Sequence, residues 1–395
     1  MKSSFRPALV NGPFQDCALY VAMRWQGAAV LLDLGRIDRL NPDNCMRLTH
    51  VCVSHTHMDH FMGFDHLLRL TLPRDRQLTF CGPPGLADNI AGKLAGYTWN
   101  LTDSYTFAMT VVERHEHHLT RALFRASTGF TREPLPDVPA APGQLVEERA
   151  LRIDTTTLDH KIPCLAFRVS EARHLNVRRD VLETRGYQPG AWLTALKNAV
   201  RSETLNDSIA VQTAEGLRNI PAGELAHDLI IDQPGQRVAY VVDARFDPTN
   251  ARRIVDLARD ADVLYCESRF LEEDRDEADK RYHLTARHAG FLARAAGVRR
   301  LEVFHFSPRY QGMAGAFRAE AQAEMSGKTR LEDDEPWTAA LLTPASPPAD
   351  VTARKVPAAR ASTRGHDSSA LRPDTGRDLP DAGGEPKRLS SGGRS

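Results

Sequence analysis

No apolar stretch in the sequence approaches the roughly 18–20 residues of a membrane-spanning helix. The N-terminal segment, Met1–Val10, also lacks the apolar core of a secretory signal. No membrane association is expected, and a cytoplasmic location is. Net charge is missing as well. Over 395 residues, 51 Lys and Arg balance 51 Asp and Glu, which argues against a protein that coats polyanions through bulk positive charge. The six cysteines, Cys17, Cys45, Cys52, Cys81, Cys164 and Cys266, include no Cys-x-x-Cys pair. A cysteine zinc site lacks its spacing, and a disulfide framework would be unusual in a cytosolic chain of this size. Most of the six sit in apolar, strand-like runs, where buried free thiols are expected.

The last stretch is the poorest in core-forming residues. Residues 344–395 contain no Phe, Tyr, Trp, Ile or Met, but 7 of the 24 prolines. Such a composition cannot bury enough apolar surface to offset its ordering entropy, so a disordered tail is expected. Its nine Lys/Arg and six Asp/Glu give it a charge of +3 and leave the body near −3.

The body, residues 1–343, is rich enough in apolar residues for a large core, the chain being 42% hydrophobic. Leu19–Met23, Ala28–Leu32 and His50–Ser54 are β-favouring runs, and Phe61–Leu72 has helical spacing. A strand over 77–81 stops at Gly82-Pro83-Pro84, and a helix follows to about Tyr97. Further strands are predicted within 106–125 and 145–169, with a loop at 129–143, which holds four prolines. Strands at 237–242, 262–266 and 300–304 then alternate with helices at 249–259, 271–280, 285–296 and 313–325. Strands first and βαβα later suggest an α/β fold of two packed sheets with helices outside.

The strongest chemical signal is Ser54-His55-Thr56-His57-Met58-Asp59-His60. Four metal-capable side chains crowd into six residues between a strand and a helix, a pattern that amphipathic periodicity does not produce. His55 and His57 are two apart, so an extended exit aims both the same way. Asp59 and His60 fall on the turn into the helix and can face a second ion. His160, Asp243 and His305 each follow an apolar strand. Taken singly, a His or Asp at a strand end is as readily a cap or turn residue. His115-Glu116-His117-His118 is dense in ligand types but reads as a solvated strand end, with alternation putting His115 and His117 on one face and His118 on the other. His66 reads as packing or surface.

The His-x-His-x-Asp-His motif resembles that of the metallo-β-lactamase superfamily, and later segments resemble its ribonuclease Z (tRNase Z) branch. His305-Phe306-Ser307-Pro308-Arg309-Tyr310 is similar to the branch's His-Phe-Ser-x-Arg-Tyr motif. His283-Leu284-Thr285-Ala286 is similar to its His-Ser-Thr motif, with Glu267 in the place of the Glu before that helix. The resemblance covers about residues 5–325. It implies a metallo-β-lactamase-type αββα sandwich of two mixed sheets with outer helices. It also implies two zinc ions: one on His55, His57 and His160, the other on Asp59, His60 and His305, with Asp243 shared. The donors suit zinc and a two-metal clamp on a phosphodiester. His283 is then the candidate acid for the leaving oxygen, Glu267 its orienting carboxylate, and Arg309 a partner for a phosphate oxygen. Four positions depart from the family pattern. Met58 replaces a Gly and Ala244 follows Asp243. An N-terminal loop with an Arg-Asn pair has no counterpart near Asn11-Gly12-Pro13. Phe167-Arg168-Val169 stands for Phe-Gly-Tyr.

Residues 171–206 interrupt the strand pattern. Within 173–201 six Lys/Arg face two Asp/Glu, and Gly186-Tyr187-Gln188-Pro189-Gly190-Ala191-Trp192 resembles the Gly/Pro motif of the ribonuclease Z arm. Arg178, Arg179, Arg185 and Lys197 are candidate contacts to the phosphates of a folded RNA; a charged surface helix with a turn is the alternative. The resemblance implies a zinc-dependent endoribonuclease that trims the 3′ end of precursor transfer RNA, commonly as a homodimer. A hydrolase of small phosphodiesters or esters on the same core is the alternative, since the fold hosts many substrates. A non-catalytic relative is disfavoured by the intact ligand set.

Overall fold

The computed structural model describes residues 4–24, 27–171 and 174–342. The tail expected at 344–395 lies outside the described residues. Two large mixed sheets form the body. The first has eight strands in chain order: Phe5–Leu9, Leu19–Met23, Ala28–Leu32, Leu48–Cys52, Gln77–Gly82, Ala108–Arg114, His118–Arg125 and Arg132–Pro139. Its four central strands, from Ala28–Leu32 to Ala108–Arg114, run parallel, and the outer pairs are antiparallel. The second sheet has six strands in the order Leu301–Phe304, Val263–Glu267, Arg237–Val241, Pro163–Glu171, Leu151–Asp159 and Gln144–Glu147. The first three of these are parallel.

Strands covered on both faces read as unbroken apolar runs rather than as alternation. Ala28–Leu32 and Val263–Glu267 do so and are buried along almost their whole length. Between the sheets, Val21, Val30 and Leu32 pack with Ile153, Phe167, Val238 and Tyr240. The outer face of the first sheet is covered by helices carrying Phe64, Leu67, Ile90 and Leu94. That of the second is covered by helices carrying Ile254, Phe291 and Phe317. The layers are therefore αββα.

Three expectations need correction. The proline-rich segment read as a loop at 129–143 contains the strand Arg132–Pro139, paired with His118–Arg125. It lies at the sheet edge, the position where proline's missing N–H is tolerated. The helix expected at Phe61–Leu72 is split into Met58–Phe61 and Phe64–Thr71. At the break the Gly63 N–H donates to the Leu34 carbonyl at 2.8 Å instead of continuing the helix, and only glycine fits there because a Cβ would sit 2.2 Å from the Gly35 carbonyl oxygen. His115 and His118 do not point apart: their rings stack with centroids 4.7 Å apart across a hairpin turn.

The basic segment expected at 171–206 is the first half of a longer insertion. Between Pro163–Glu171 and Arg237–Val241, residues 174–233 build two small antiparallel ribbons. These pair His174–Val177 with Ile230–Gln233 and Ser208–Thr213 with Gly216–Pro221. Helices Arg179–Thr184, Trp192–Ser202 and Ala222–Leu229 pack on them. The insertion has its own core, with Trp192, Leu196, Val211, Ala222 and Leu229 buried together.

Candidate metal centre

The parallel strands Ala28–Leu32 and Leu48–Cys52 end side by side, in Asp33 and in the His55–His60 segment. In the other sheet the parallel strands near 241, 267 and 304 end in Asp243, Glu267 and His305, and the turn after Leu151–Asp159 carries His160. All these side chains meet at one edge of the sandwich. Asp33, Asp243 and His305 have φ of 56°, 37° and 63°, a region that residues other than glycine seldom occupy. Each such residue costs about 1–3 kcal/mol and persists only where its surroundings over-determine it. Here they do. Glu267 Oε1 accepts from the backbone N–H of Ala244 at 2.8 Å and of Leu284 at 3.3 Å, tying two loops to one buried carboxylate.

Asp243 lies at the centre. Its Oδ2 is 3.5 Å from His55 Nε2, 3.4 Å from His60 Nε2 and 3.4 Å from His160 Nε2. Its Oδ1 is 2.9 Å from His305 Nδ1. Asp59 Oδ2 reaches His305 Nε2 at 3.4 Å and His60 Nε2 at 3.7 Å. His160 Nδ1 is 2.8 Å from the Tyr282 carbonyl, and His283 Nδ1 is 2.9 Å from Glu267 Oε2. The first contact fixes the His160 ring so that its Nε2 faces Asp243, and the second fixes the orientation of the His283 ring.

The electrostatics follow from this crowding. Burial pushes the His55 imidazole down to about 2, with His60 adding to the effect. Burial opposes charge on His60 too, but Asp243 and Asp33 outweigh it and raise that ring well above its ordinary value. Asp243 resists burial through His305, His60 and His283, which hold its carboxyl well below the usual range. The site is thus a nest of opposed charges. Four of its buried donor atoms, His55 Nε2, His60 Nε2, His305 Nδ1 and Asp243 Oδ1, make no well-aligned hydrogen bond among the described residues, although the last two lie 2.9 Å apart. Orphaned buried polar atoms of this kind are rare and costly, and N and O donors so placed fit divalent cations.

Among the described residues, three sets of donors lie within 4.8 Å of one another: His55, His57, His160 and Asp243; Cys17, His60 and His305; and Asp243, Glu267, His283 and His305. Six of the seven ligands expected from the sequence fall into these sets. Asp59 is in none of them, although it touches two of their members.

Comparison with known proteins places this arrangement. No protein-family profile matches the chain. Ribonuclease Z of Deinococcus radiodurans is 31% identical over 311 residues, covering 77% of this chain and 90% of that protein. Ribonuclease Z of Thermobifida fusca is 31% identical over 322 residues, covering 79% and 86%. The chain belongs to the ribonuclease Z family. Among solved structures, the metallo-β-lactamase fold protein YhfI from Bacillus subtilis aligns at 14% identity and a TM-score of 0.46, covering 80% of this chain and 93% of that one. The short form of human tRNase Z aligns at 17% and 0.42, covering 78% and 93%.

Other residues singled out from the ribonuclease Z resemblance stand in varied settings. Met58, in place of the family's Gly, is 77% exposed beside the ligands. The Arg309 guanidinium lies over the Phe270 ring at 5.3 Å and 3.6 Å from Asp274 Oδ2. In the insertion, Arg178 pairs with Asp180 at 3.3 Å and Arg185 with Asp228 at 2.6 Å. Lys197 is half-buried, and burial lowers its ammonium pKa, with Arg201 adding to the effect. Arg179, Lys197 and Arg201 line an open cavity of about 1300 Å³ together with Tyr187 and His174.

Two residues escaped the sequence reading. Asp33 is fully buried and accepts from Ser54 N at 2.7 Å, Ser54 Oγ at 2.9 Å and the Tyr240 hydroxyl at 3.0 Å, with His60 Nδ1 at 2.9 Å. It holds the ligand-bearing loop and orients His60. The only available signal was an Asp ending the apolar run Ala28–Leu32, next to a Leu-Gly turn. Arg269 places Nη1 2.8 Å from His305 Nε2, and nothing in its sequence neighbourhood marks it.

Proposed function

We propose that the chain is a metal-dependent endoribonuclease that cleaves RNA phosphodiester bonds, with the 3′ extension of precursor transfer RNA as its substrate. The observation that carries this reading is the continuous similarity to ribonuclease Z proteins together with an orphaned donor set at the sheet edge. Residues 1–343 constitute the hydrolase unit in this proposal. Two zinc ions are the proposed cofactors: one on His55, His57 and His160, one on Asp59, His60 and His305, with Asp243 shared. When bound, such ions supply Lewis acidity toward phosphoryl oxygens and make hydroxide available near neutral pH.

The chain's own residues do the rest. With Nδ1 directed at Glu267 Oε2, the His283 ring presents Nε2 as the donor of a proton to the departing sugar oxygen. Glu267 is completely buried, and its contact to Nδ1 holds the imidazole in one orientation. It also fixes the Ala244 and Leu284 backbones, which couples the position of the acid to that of Asp243. Asp59, partly exposed at the rim, supports His60 and His305. Arg309 would pair with a phosphate oxygen in competition with Asp274, which lies 3.6 Å from its Nη1. The insertion supplies cations for an RNA backbone away from the cut. A homodimer, in which the insertion of one subunit serves the active site of the other, completes the reading; sedimentation as a monomer at micromolar concentration would contradict it.

Incubating the zinc-loaded protein with a 3′-extended precursor transfer RNA and mapping the product ends tests the proposal. A cut at the 3′ extension is expected. Turnover of a small chromogenic phosphodiester without any cut in the RNA would favour the small-substrate reading, which the internal pairing of Arg178 and Arg185 supports.

A further inference from the structure

Cys17 stands immediately before the strand Leu19–Met23, and both of its backbone groups are anchored to the metal edge. Its N–H donates to the Asp59 carbonyl at 3.2 Å, and its carbonyl accepts from Gly35 N–H at 2.9 Å. Its side chain is buried, with 1% of the residue exposed. The thiol sulfur lies within 4.8 Å of a ring nitrogen of His60 and of His305, which are likewise within that distance of each other. On those two rings His60 Nε2 is buried and makes no hydrogen bond among the described residues, and His305 Nδ1 faces Asp243 Oδ1 at 2.9 Å. A sulfur and two imidazole nitrogens so grouped match the soft, compact donor sets that hold zinc. Asp59, by contrast, belongs to no such set, and its side chain is 39% exposed.

We propose that Cys17 is a ligand of the second metal position, its thiolate standing beside His60 and His305 on the protein side while Asp59 occupies the solvent rim. The inference rests on the two-ion reading above and adds a donor to it. On binding, the S–H bond breaks, its electron pair forms the sulfur–metal bond, and one proton leaves to solvent, so loading at this position releases a proton. A thiolate also sets the metal preference. It favours zinc, cobalt or cadmium over manganese or magnesium, which select oxygen donors.

Cobalt(II) loading of the full chain tests the proposal, because thiolate–cobalt bonds give a near-ultraviolet charge-transfer absorption that imidazole and carboxylate ligands do not. The band is expected in the wild-type protein, absent in Cys17→Ser and Cys17→Ala, and retained in Cys164→Ser. Cys164 is the control because its sulfur lies 3.6 Å from His55 Nδ1, behind a different ligand. In Cys17→Ser the preference for zinc over manganese should also fall about tenfold or more. Cobalt-loaded wild-type protein without the band overturns the proposal, whether or not the variants fold. So does a band that survives Cys17→Ser or disappears in Cys164→Ser. The ion count on the same samples judges the two-ion reading separately. Two ions without the band leave that reading intact and remove the thiolate; one ion with a band that Cys17→Ser abolishes does the reverse.

Discussion

The metal edge and the insertion at 174–233 are built on opposite plans. At the edge, the functional side chains come from several strand ends and loops scattered along the chain, from Asp33 through the His55–His60 segment to His305. They meet only because two sheets terminate together, and three of them sit in a backbone region that must be enforced from outside. The insertion is contiguous in the chain and closes over its own core. Its cations are exposed or half-buried, and two of them are already paired within it. Chemistry that needs sub-ångström placement is carried by the over-determined part. In the proposed function, grip on a large, charged substrate, which tolerates looser geometry, falls to the part with its own core.

That contrast can be broken most forcefully at its centre. Asp243→Asn keeps a residue that tolerates positive φ while removing the central negative charge. Activity should fall on the order of 10³-fold, about 4 kcal/mol of lost transition-state stabilisation, with bound metal falling in parallel by elemental analysis and a folded far-ultraviolet spectrum retained. One step outward, Asp33→Asn leaves every proposed ligand in place but loosens His60. Metal affinity in a chelator competition should drop 10- to 100-fold. A wild-type affinity would show that the ring is held by packing alone.

The insertion should respond to substrate rather than to metal. Replacing Arg179, Lys197 and Arg201 with Ala, residues without an ion pair among the described residues, should raise KM for precursor transfer RNA. The slope of log affinity against log salt should flatten by about 0.7 for each phosphate that is no longer neutralised. Turnover of a small phosphodiester should stay level. Replacing the paired Arg178 and Arg185 should do less. If both substrates lose activity together, the insertion is part of the catalytic scaffold and the division of labour fails.

The smallest effect concerns the scaffold helices. Glu320 Oε1 accepts from the N–H groups of Glu272 and Arg287 at 3.0 and 3.1 Å. Burial pushes its carboxyl up to about 7, with the neighbouring Glu272 also raising it. A folded-state pKa above the unfolded one means stability that is fully present below about 4.5 and is lost as pH rises through about 7. Glu320→Gln should therefore match the wild-type melting temperature near pH 4.5 and exceed it by a few degrees at pH 8. Parallel curves would show that the carboxyl titrates normally.

Much of the centre was legible because ligand chemistry is local in type. His55, His57 and His60 are crowded in one motif, and His160, Asp243 and His305 each follow an apolar run. Asp33 was not, because its role depends on contacts to residues 21, 27 and 207 positions away, and no local pattern encodes those. Cys17 read as a buried thiol, which it is; its nearness to two imidazoles arises only when the first two strands are laid beside the ligand loop. Two packed sheets with helices outside followed from strands first and βαβα later, and the αββα sandwich was what the ribonuclease Z resemblance implied. The strand at Arg132–Pro139 was hidden because proline signals a turn unless an edge position is known. The insertion was cut short at 206 because its second half, 207–233, has no excess of positive charge to mark it.

The ends of that insertion carry a further consequence. Glu171 N–H donates to the Gln236 carbonyl at 2.9 Å, and Ser170 faces Arg237 in the antiparallel ladder. Gly235 lies so close that a Cβ there would sit 2.0 Å from the Glu171 carbonyl oxygen. The chain thus leaves the sheet and returns to it through a doorway one hairpin wide. Replacing residues 174–233 by a short turn at that doorway is expected to leave the ligand-bearing strands in place, with the loss of the contacts of His174 to Ser4 and Glu171 and of Ser202 to Arg149. The scaffold is a socket, and new specificity can be plugged into it by recombination rather than by stepwise remodelling of the core.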